Sequence, residues 1–172
     1  MRLFVAINFK DNTMNGLIAL RNELRDRSVC GNFSRDKNLH LTLAFIGEVE
    51  TQKFDKLKAV IDTLAFTPFR IVIDKLGTFS CETLWWAGVR KDKPLMDLQC
   101  EIEHKLALCD FEADGCNYHP HVTLGRKVVT DAKPWQIGMF GQTMDKVDLM
   151  KSERIDGKLI YTVIHTRQGV GK

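Results

Sequence analysis

Two short segments of the chain carry the same histidine and hydroxyl pattern, His40-Leu41-Thr42 and His121-Val122-Thr123. Each begins a run of residues that is typical of a β-strand, where side chains at i and i+2 point to the same face. Each segment would therefore present one imidazole beside one hydroxyl. If the two faces met across one cleft, two imidazoles and two hydroxyls would surround a single small group. Such an arrangement could transfer protons on both sides of a phosphate.

Acid–base chemistry at a phosphodiester needs a base to activate water, an acid to protonate the departing oxygen, and donors that stabilise charge on the non-bridging oxygens. Two histidines can supply the base and the acid near neutral pH, because the unperturbed imidazole pKa is about 6.5. Threonine hydroxyls can donate to phosphate oxygens. Two matched copies among only five histidines, both followed by leucine, favour a paired catalytic role. The residues themselves do not distinguish the acid from the base.

Other kinds of site fit the sequence less well. Cys109, Cys116, His119 and His121 lie within thirteen residues, but their spacing does not match the usual zinc patterns. The chain contains neither a G-x-S-x-G element nor a glycine-rich phosphate loop. We therefore expect no metal and no cofactor. His119 is expected to have a peripheral or structural role, and His104 and His165 are expected to be structural or solvated.

Strands and helices alternate along the sequence that positions the two motifs. Apolar periodicity predicts three helices, at 11–27, 51–65 (with Thr51 as N-cap) and 94–109. It predicts strands at 2–9, 39–46, 69–79, 83–90 and 121–125, and a closing hairpin around Asp156-Gly157. This order favours one compact α+β unit over residues 1–172. Since the motifs lie about half the chain apart, a duplicated architecture would explain the pattern.

Aromatic side chains near the motifs can be assigned only in part. Strict alternation in the first motif strand places Phe45 on the apolar face, with Leu41 and Leu43, opposite His40 and Thr42. Of the adjacent Trp85 and Trp86, at most one can point into the core, and the sequence does not say which. An outward tryptophan or Tyr118 would offer a surface for stacking a base.

Composition limits the possible partners and location of the protein. The chain has 172 residues, 44% of them hydrophobic, which suffices for a real core. Its net charge of +3 permits binding to a polyanion without arguing for it; the exposed candidates for such contacts are Lys10, Arg35, Lys37 and Lys127. The opening apolar stretch is too short for a signal peptide or membrane span, and five cysteines form no C-x-x-C pair. We expect a cytoplasmic protein with no membrane contact and no obligate protein partner.

The motif blocks NLHLTLAFIGEV at 38–49 and PHVTLGR at 120–126 resemble those of the two-histidine (2H) phosphoesterases. Within that group they are similar to the RNA 2′,3′-cyclic phosphodiesterases, also called 2′-5′ RNA ligase-like proteins. The opening RLFVAI and the closing hairpin support the resemblance. It implies a bilobal α+β fold, with two antiparallel sheets, flanking helices and pseudo-twofold symmetry around a central groove.

The resemblance also implies roles for individual residues. His40 would be the proton donor to the leaving 3′ oxygen and His121 the proton acceptor, while Thr42 and Thr123 would hold the phosphate. Arg126 matches a basic residue that family members often carry, and a guanidinium can bind phosphate in bidentate fashion. Five residues from His121, however, Arg126 reaches the groove only if the strand bends or ends near Gly125.

The implied substrate is RNA with a 2′,3′-cyclic phosphate end, or a small cyclic nucleotide, opened to a 2′-phosphomonoester without a metal. Two alternatives stay open: hydrolysis or reversible ligation of 2′-5′-linked RNA, and a non-catalytic RNA-binding module. The weak net charge gives a binding module little electrostatic anchorage. Two matched acid–base residues have no obvious purpose in binding alone, so the sequence favours an enzyme.

Overall fold

The structure, a computed structural model, describes residues 1–79, 83–111 and 117–171. Nine strands and three helices make up this part of the chain. The helices are α1 (Asp11–Asp26), α2 (Phe54–Asp62) and α3 (Lys93–Leu108). The strands are β1 (Arg2–Asn8), β2 (Cys30–Phe33), β3 (His40–Glu48), β4 (Phe69–Thr78), β5 (Trp85–Val89), β6 (His121–Val129), β7 (Phe140–Met144), β8 (Lys146–Ile155) and β9 (Lys158–Gln168).

The strands form two antiparallel sheets, each of which carries one motif. The first sheet has the order β3-β1-β8-β9 and the second the order β2-β6-β5-β4-β7. The first motif opens β3, at the edge of its sheet, and the second opens β6. Because β3 and β6 also contact each other, the two motifs meet where the sheets meet. The predicted α+β fold, with two antiparallel sheets and flanking helices, is confirmed.

One cluster of buried apolar side chains underlies both sheets. Alternation along β1 sends Leu3, Val5 and Ile7 into this cluster, where each is at most 1% exposed. The helices cover it: α1 packs against β2, β6 and β7, whereas α3 packs against β3 and β4 and so contacts both sheets. Burying a side chain of this size is worth about 1.5–3 kcal/mol. The opposite face of the first sheet carries a second, small buried cluster of Phe4, Ala6 and Met150, against which Tyr161 packs. We refer to the space between this face and the facing side of β6, where the two motifs meet, as the groove.

Polar side chains at the end of β1 bond to β7 of the second sheet and to β8 of the first. The Oε1 of Gln142, in β7, accepts a hydrogen bond from the Lys10 backbone N–H at 2.6 Å, and its Nε2 donates to the Asn8 carbonyl at 3.3 Å. The fully buried carboxylate of Asp148 accepts from Asn8 Nδ2 at 2.7 Å and from Thr166 Oγ1 at 2.6 Å. These bonds satisfy polar groups that would be costly to bury alone.

The secondary structure differs from the prediction mainly in the extent of α2, in the length of β6, which continues to Val129, and in two strands that were not predicted. Thr51 does not cap a helix with its side chain: residues Thr51–Lys53 form a 3₁₀ turn, and α2 runs only from Phe54 to Asp62. The sequence did not predict β2 or β7, since both are short, contain glycine and pair with strands that are distant in sequence. The closing hairpin is confirmed, with positive φ at both Asp156 and Gly157 as a two-residue turn requires.

None of the described helices is long and apolar enough to cross a membrane.

A glycine in β7 is required by the close approach of β4. A Cβ atom at Gly141 would lie 1.9 Å from the Ile71 carbonyl oxygen, which is backbone and cannot move aside. We expect Gly141→Ala to lower the free energy of unfolding by about 1–3 kcal/mol in urea titrations, as overpacking does. Gly138→Ala, at a position with nothing within 4 Å, should change it by less than about 0.5 kcal/mol. Equal effects would show that the contact with β4 is unimportant.

Candidate active site

Both motifs present their histidine and threonine on the strand face that points away from the core. Leu41 and Leu43 are at most 1% exposed and fix the buried face of β3. Val122 and Leu124, fully buried, do the same for β6. His40, Thr42, His121 and Thr123 are all half-buried on the opposite faces. The structure thus brings the four residues to the groove, where the sequence pattern places them.

Each imidazole is held by a backbone carbonyl two residues before it. The His40 Nδ1 lies 2.8 Å from the Asn38 oxygen, and the His121 Nδ1 lies 2.6 Å from the His119 oxygen. A carbonyl can only accept, so Nδ1 carries the hydrogen in both rings and Nε2 is left for chemistry. The His40 Nε2 lies 3.0 Å from the Thr42 hydroxyl, which can donate to it. His119, expected to be peripheral, contributes its backbone carbonyl to the site.

One extra residue follows the threonine in each motif strand. On β3, Thr42 pairs with Ala6 while Ala44 pairs with Val5, so Leu43 is the additional residue. On β6, Thr123 pairs with Trp86 while Gly125 pairs with Trp85, so Leu124 is the additional residue. Such bulges shift the alternation by one position. The third groove-facing residue therefore comes three positions after threonine, at Phe45 in one strand and Arg126 in the other.

The bulge overturns the predicted position of Phe45. The side chain is 48% exposed instead of buried, and its ring lies 6.1 Å from that of Phe4, on the same face as His40. Ala44 and Ile46 take the buried places instead. The prediction was wrong because it assumed unbroken alternation along β3.

The matching bulge brings Arg126 to the groove. Its guanidinium is exposed and close enough to both imidazoles to disfavour their protonation. Burial raises the pKa of Tyr161, on β9 of the other sheet, and the charge of Arg126 opposes this rise. The bend near Gly125 that the sequence required is therefore present, and Arg126 lies on the groove side of β6.

Aromatic rings surround both imidazoles. The His40 ring lies 4.9 Å from Phe4 and 5.1 Å from Tyr161, the latter perpendicular to it. The His121 ring meets Phe79 edge-on at 5.1 Å and lies 6.5 Å from Trp86. These contacts restrict both rings and exclude water from their faces.

The two adjacent tryptophans divide between core and groove. Trp85 is 1% exposed and belongs to the core, whereas Trp86 is half-buried on the face of His121. A Cβ at Gly77 would lie 2.4 Å from the Trp86 ring, and one at Gly88 would lie 2.9 Å from it. The two glycines therefore make room for the indole to lie against the sheet.

Burial lowers the pKa of both histidines. Desolvation is the main cause and brings the pKa of His40 down to about 4, aided by the nearby His121 and Arg126. The pKa of His121 is lowered by burial and by the charges of Arg126 and His119. The hydrogen bonds to Asn38 and His119 oppose both shifts. Both rings are therefore neutral in the free protein near pH 7, and an anion bound between them would favour proton uptake.

Reciprocal hydrogen bonds connect the two motif strands. The Tyr118 hydroxyl, just before the second motif, donates to the Thr42 carbonyl at 2.8 Å. The Ser34 hydroxyl, just before the first motif, donates to the Thr123 carbonyl at 2.7 Å. Burial raises the pKa of Tyr118, so its phenol keeps its proton. Sequence reasoning missed both roles; their position just ahead of a motif was the only signal.

Several other candidates lie away from this site. His165 pairs with Asp62 at 2.7 Å, and Lys10 pairs with Asp145 at 2.8 Å. His104 is exposed on α3. Among the residues described, no three His, Cys, Asp or Glu side chains come together as metal ligands would. Cys116, which the sequence analysis weighed as a ligand, lies outside the described residues.

The fold and the paired His-X-Thr strands are those of a two-histidine phosphoesterase, and comparison with known proteins agrees. Residues 12–149 match the family described as the 2′-5′ RNA ligase superfamily. An RNA 2′,3′-cyclic phosphodiesterase from Archaeoglobus fulgidus is 30% identical over 129 residues, which cover 73% of this chain and 72% of that protein. The chain therefore belongs to the 2′-5′ RNA ligase superfamily, as its motifs predicted.

Solved structures support the same fold. The crystal structure of Escherichia coli LigT complexed with 3′-AMP superimposes with a TM-score of 0.85 at 24% identity, over 97% of both chains. The crystal structure of a Thermus thermophilus protein, TT0787, gives the same TM-score and identity, over 98% of this chain and 97% of the other.

The lowered pKa of His40 predicts a loss of stability in acid. The unfolded chain binds the proton near pH 6.5, whereas the folded protein resists it until about pH 4. The free energy of unfolding should therefore fall between these values, by up to about 3 kcal/mol from this group, and His121 should add to the fall. Urea titrations of His40→Gln should show a flatter dependence on pH over this range. His104→Gln, on the exposed face of α3, is the matched control and should keep the slope.

Proposed function

We propose that this protein opens the 2′,3′-cyclic phosphate ends of RNA, or small cyclic nucleotides, to 2′-phosphomonoesters by metal-independent acid–base catalysis. The main support is that two histidines from different sheets interact electrostatically across one groove, each with Nδ1 fixed on a carbonyl and Nε2 left for chemistry. Further support comes from relatives of this chain that are named RNA 2′,3′-cyclic phosphodiesterase.

In this reaction the two histidines act on opposite sides of phosphorus. The Nε2 of His121 takes a proton from water as the water oxygen attacks phosphorus. The bond from phosphorus to the 3′ oxygen breaks, and protonated His40 gives its Nε2 proton to that oxygen. One water is consumed and the 2′-phosphate remains. The assignment of His40 as donor and His121 as acceptor comes from the family resemblance.

Binding of the substrate would prepare His40 for its role. In the free protein burial keeps this imidazole neutral, with a pKa of about 4. Desolvation and the charge of Arg126 lower the pKa of His40, and the negative charge of a bound phosphodiester would raise it again. Proton uptake by His40 would therefore accompany binding. An imidazole with an intrinsically low pKa is also a strong acid once protonated, which suits transfer to an alkoxide leaving group.

Three further residues are proposed to hold the phosphate. The Thr42 and Thr123 hydroxyls lie on the same faces as the histidines and can donate to non-bridging oxygens. Arg126 supplies a fixed positive charge on the groove side, which stabilises the charge that accumulates in the transition state. The proposal includes the cytoplasmic location that the cysteine content predicts; the described thiols of Cys30, Cys100 and Cys109 are free.

Replacing either histidine should abolish turnover. We expect His40→Ala and His121→Ala each to lower kcat by about 10²–10⁴-fold, because each removes one proton-transfer step. Thr42→Ala and Thr123→Ala should cost about tenfold, as a lost hydrogen bond to a charged group does. The assay is hydrolysis of a nucleoside 2′,3′-cyclic monophosphate in EDTA, with the product isomer identified by phosphorus NMR. Linear 2′-5′-linked RNA is tested in parallel.

The outcomes separate the alternatives. Formation of the 2′-phosphate in chelator supports the mechanism and the leaving group together. A 3′-phosphate product would overturn the assigned geometry, and nearly unchanged activity in either histidine variant would rule out two-histidine catalysis. Turnover of linear 2′-5′ RNA alone would assign the site to that substrate, while binding without turnover would support the non-catalytic alternative.

Neutralising Arg126 should weaken substrate binding and raise the pKa of both histidines. We expect Arg126→Gln to raise KM about 10–100-fold, since a hydrogen-bonded charge pair is lost. Arg126→Lys should fall between Gln and the wild type, because it keeps the charge without the bidentate geometry. Histidine titrations followed by NMR should show the upward pKa shifts in the Gln variant. Lys93→Gln, 84% exposed at the start of α3, is the control. An equal change in KM and in the histidine pKa values in that variant would contradict a specific role for Arg126.

A further inference from the structure

A second cavity opens beside the first motif. Its volume is about 490 Å³, and its walls come from α1, the end of β2, the 3₁₀ turn at Asp36–Asn38 and the start of β9. We refer to it as the α1 cavity. None of the residues proposed above for catalysis or for phosphate binding lines it.

The α1 cavity shares walls with the active site. Tyr161 lines the cavity and also packs against the His40 ring at 5.1 Å. Asn38 lines it and supplies the carbonyl that holds the His40 Nδ1. Ser34 lines it and donates to the Thr123 carbonyl. The cavity therefore lies directly beside the site, close enough for a ligand longer than one nucleotide to contact both.

Positive charge is concentrated in the walls of the cavity. Four cationic side chains and one carboxylate line it, an excess of three charges, which equals the formal net charge of the entire chain. The carboxylate of Asp36 is already paired with Arg21, which is buried and lies 2.6 Å away. Three exposed cations therefore remain for a ligand: Arg25, Arg35 and Lys37.

Two of these cations have no partner within the described part of the chain. Neither Arg35 nor Lys37 forms an ion pair or a side-chain hydrogen bond there, whereas the neighbouring Asp36 is paired with Arg21. Unpaired like charges held close together repel each other, so an anion bound between them would relieve that cost. The cavity is suited to a phosphate.

Aromatic surface accompanies the charge. The Phe33 ring is half-buried in the cavity wall, with the Arg25 guanidinium 5.5 Å from its centre. Tyr161 provides a second ring in the lining of the cavity. Cations that follow a backbone, combined with rings on which a base can stack, are the usual features of a single-stranded nucleic-acid site.

We propose that the α1 cavity binds the penultimate nucleotide of an RNA strand, next to the terminal nucleotide that carries the cyclic phosphate. The phosphate that joins these two nucleotides would lie on Arg35 and Lys37, and the penultimate base would lie against Phe33. This inference rests on the proposed function. If the 3′ oxygen leaves toward His40, the ribose and the rest of the strand lie on the His40 side, where the cavity opens. A mononucleotide lacks this second phosphate, so the substrate class is the end of an RNA strand.

The test compares kcat/KM for a trinucleotide ending in a 2′,3′-cyclic phosphate with that for the nucleoside 2′,3′-cyclic monophosphate. For the wild type we expect the ratio to favour the trinucleotide by about tenfold or more, from one stacked base and one paired phosphate. The double variant Arg35→Gln/Lys37→Gln, and separately Phe33→Leu, should bring the ratio close to one, mainly through KM on the trinucleotide. Loss of the two cations should also reduce the dependence of trinucleotide binding on salt concentration.

A double variant on a remote surface is the matched control. Lys56→Gln/Lys93→Gln removes the same charge from α2 and α3, from side chains 51% and 84% exposed, and should leave the ratio unchanged. An equal drop in that variant would mean that general electrostatic attraction, and not the cavity, sets the preference. A wild-type ratio near one, with both substrates hydrolysed, would overturn the inference and leave the proposed function standing.

Failure of the proposed function would look different. If neither substrate is hydrolysed, binding of a trinucleotide ending in a 2′-phosphate is measured by fluorescence anisotropy beside competition by a nucleoside 2′-monophosphate. Tighter binding of the trinucleotide that is lost in Arg35→Gln/Lys37→Gln would still support the cavity as an RNA site. Equal binding of both ligands would reject it.

Discussion

The fixed spacing between two strands from different sheets is the constraint on which the site depends. His40 and His121 lie in separate hydrogen-bonded ladders, so neither sheet alone sets the distance between them. The Tyr118 and Ser34 hydroxyls set it instead, since each donates from the segment ahead of one motif to the threonine carbonyl of the other. Beneath them the shared core, covered by α3 on both sheets, makes the junction rigid. Proton transfer needs this rigidity, because a displacement of 1 Å can cost about 10² in rate.

The two motif strands are alike in their local structure, so the features that they share cannot distinguish the proposed proton donor from the proposed proton acceptor. Each imidazole donates to a carbonyl two residues earlier, each threonine is followed by a bulged leucine, and each bulge is followed by a small buried residue, Ala44 or Gly125. The two halves differ in the hydrogen bond between His40 and Thr42 and in the rings that surround each imidazole. They also differ after the bulge, where one strand carries Phe45 and the other Arg126. The proposed difference between proton donor and proton acceptor would therefore arise from these features outside the shared pattern.

Much of this arrangement could be predicted from sequence. Repetition of His-X-Thr identified the four central residues, since a two-residue period is enough to place them on one face. Periodicity also located the three helices and the final hairpin. It failed where a strand departs from regular pairing: a bulge leaves no local signal, so Phe45 was assigned to the core and Arg126 depended on a bend that only the structure could supply. β2 and β7 were missed because their stability comes from distant partners.

The bulges also determine how these strands can change length during evolution. A substitution at Leu43 or Leu124 alters packing and leaves the alternation intact. Straightening a bulge without removing a residue would turn Phe45 or Arg126 toward the core. Deleting Leu43 or Leu124 would instead restore a regular strand and leave these side chains on the groove face, at the cost of one buried leucine. Each motif strand can therefore present the same groove residues with or without the extra leucine, provided that the bulge and the extra residue are gained or lost together.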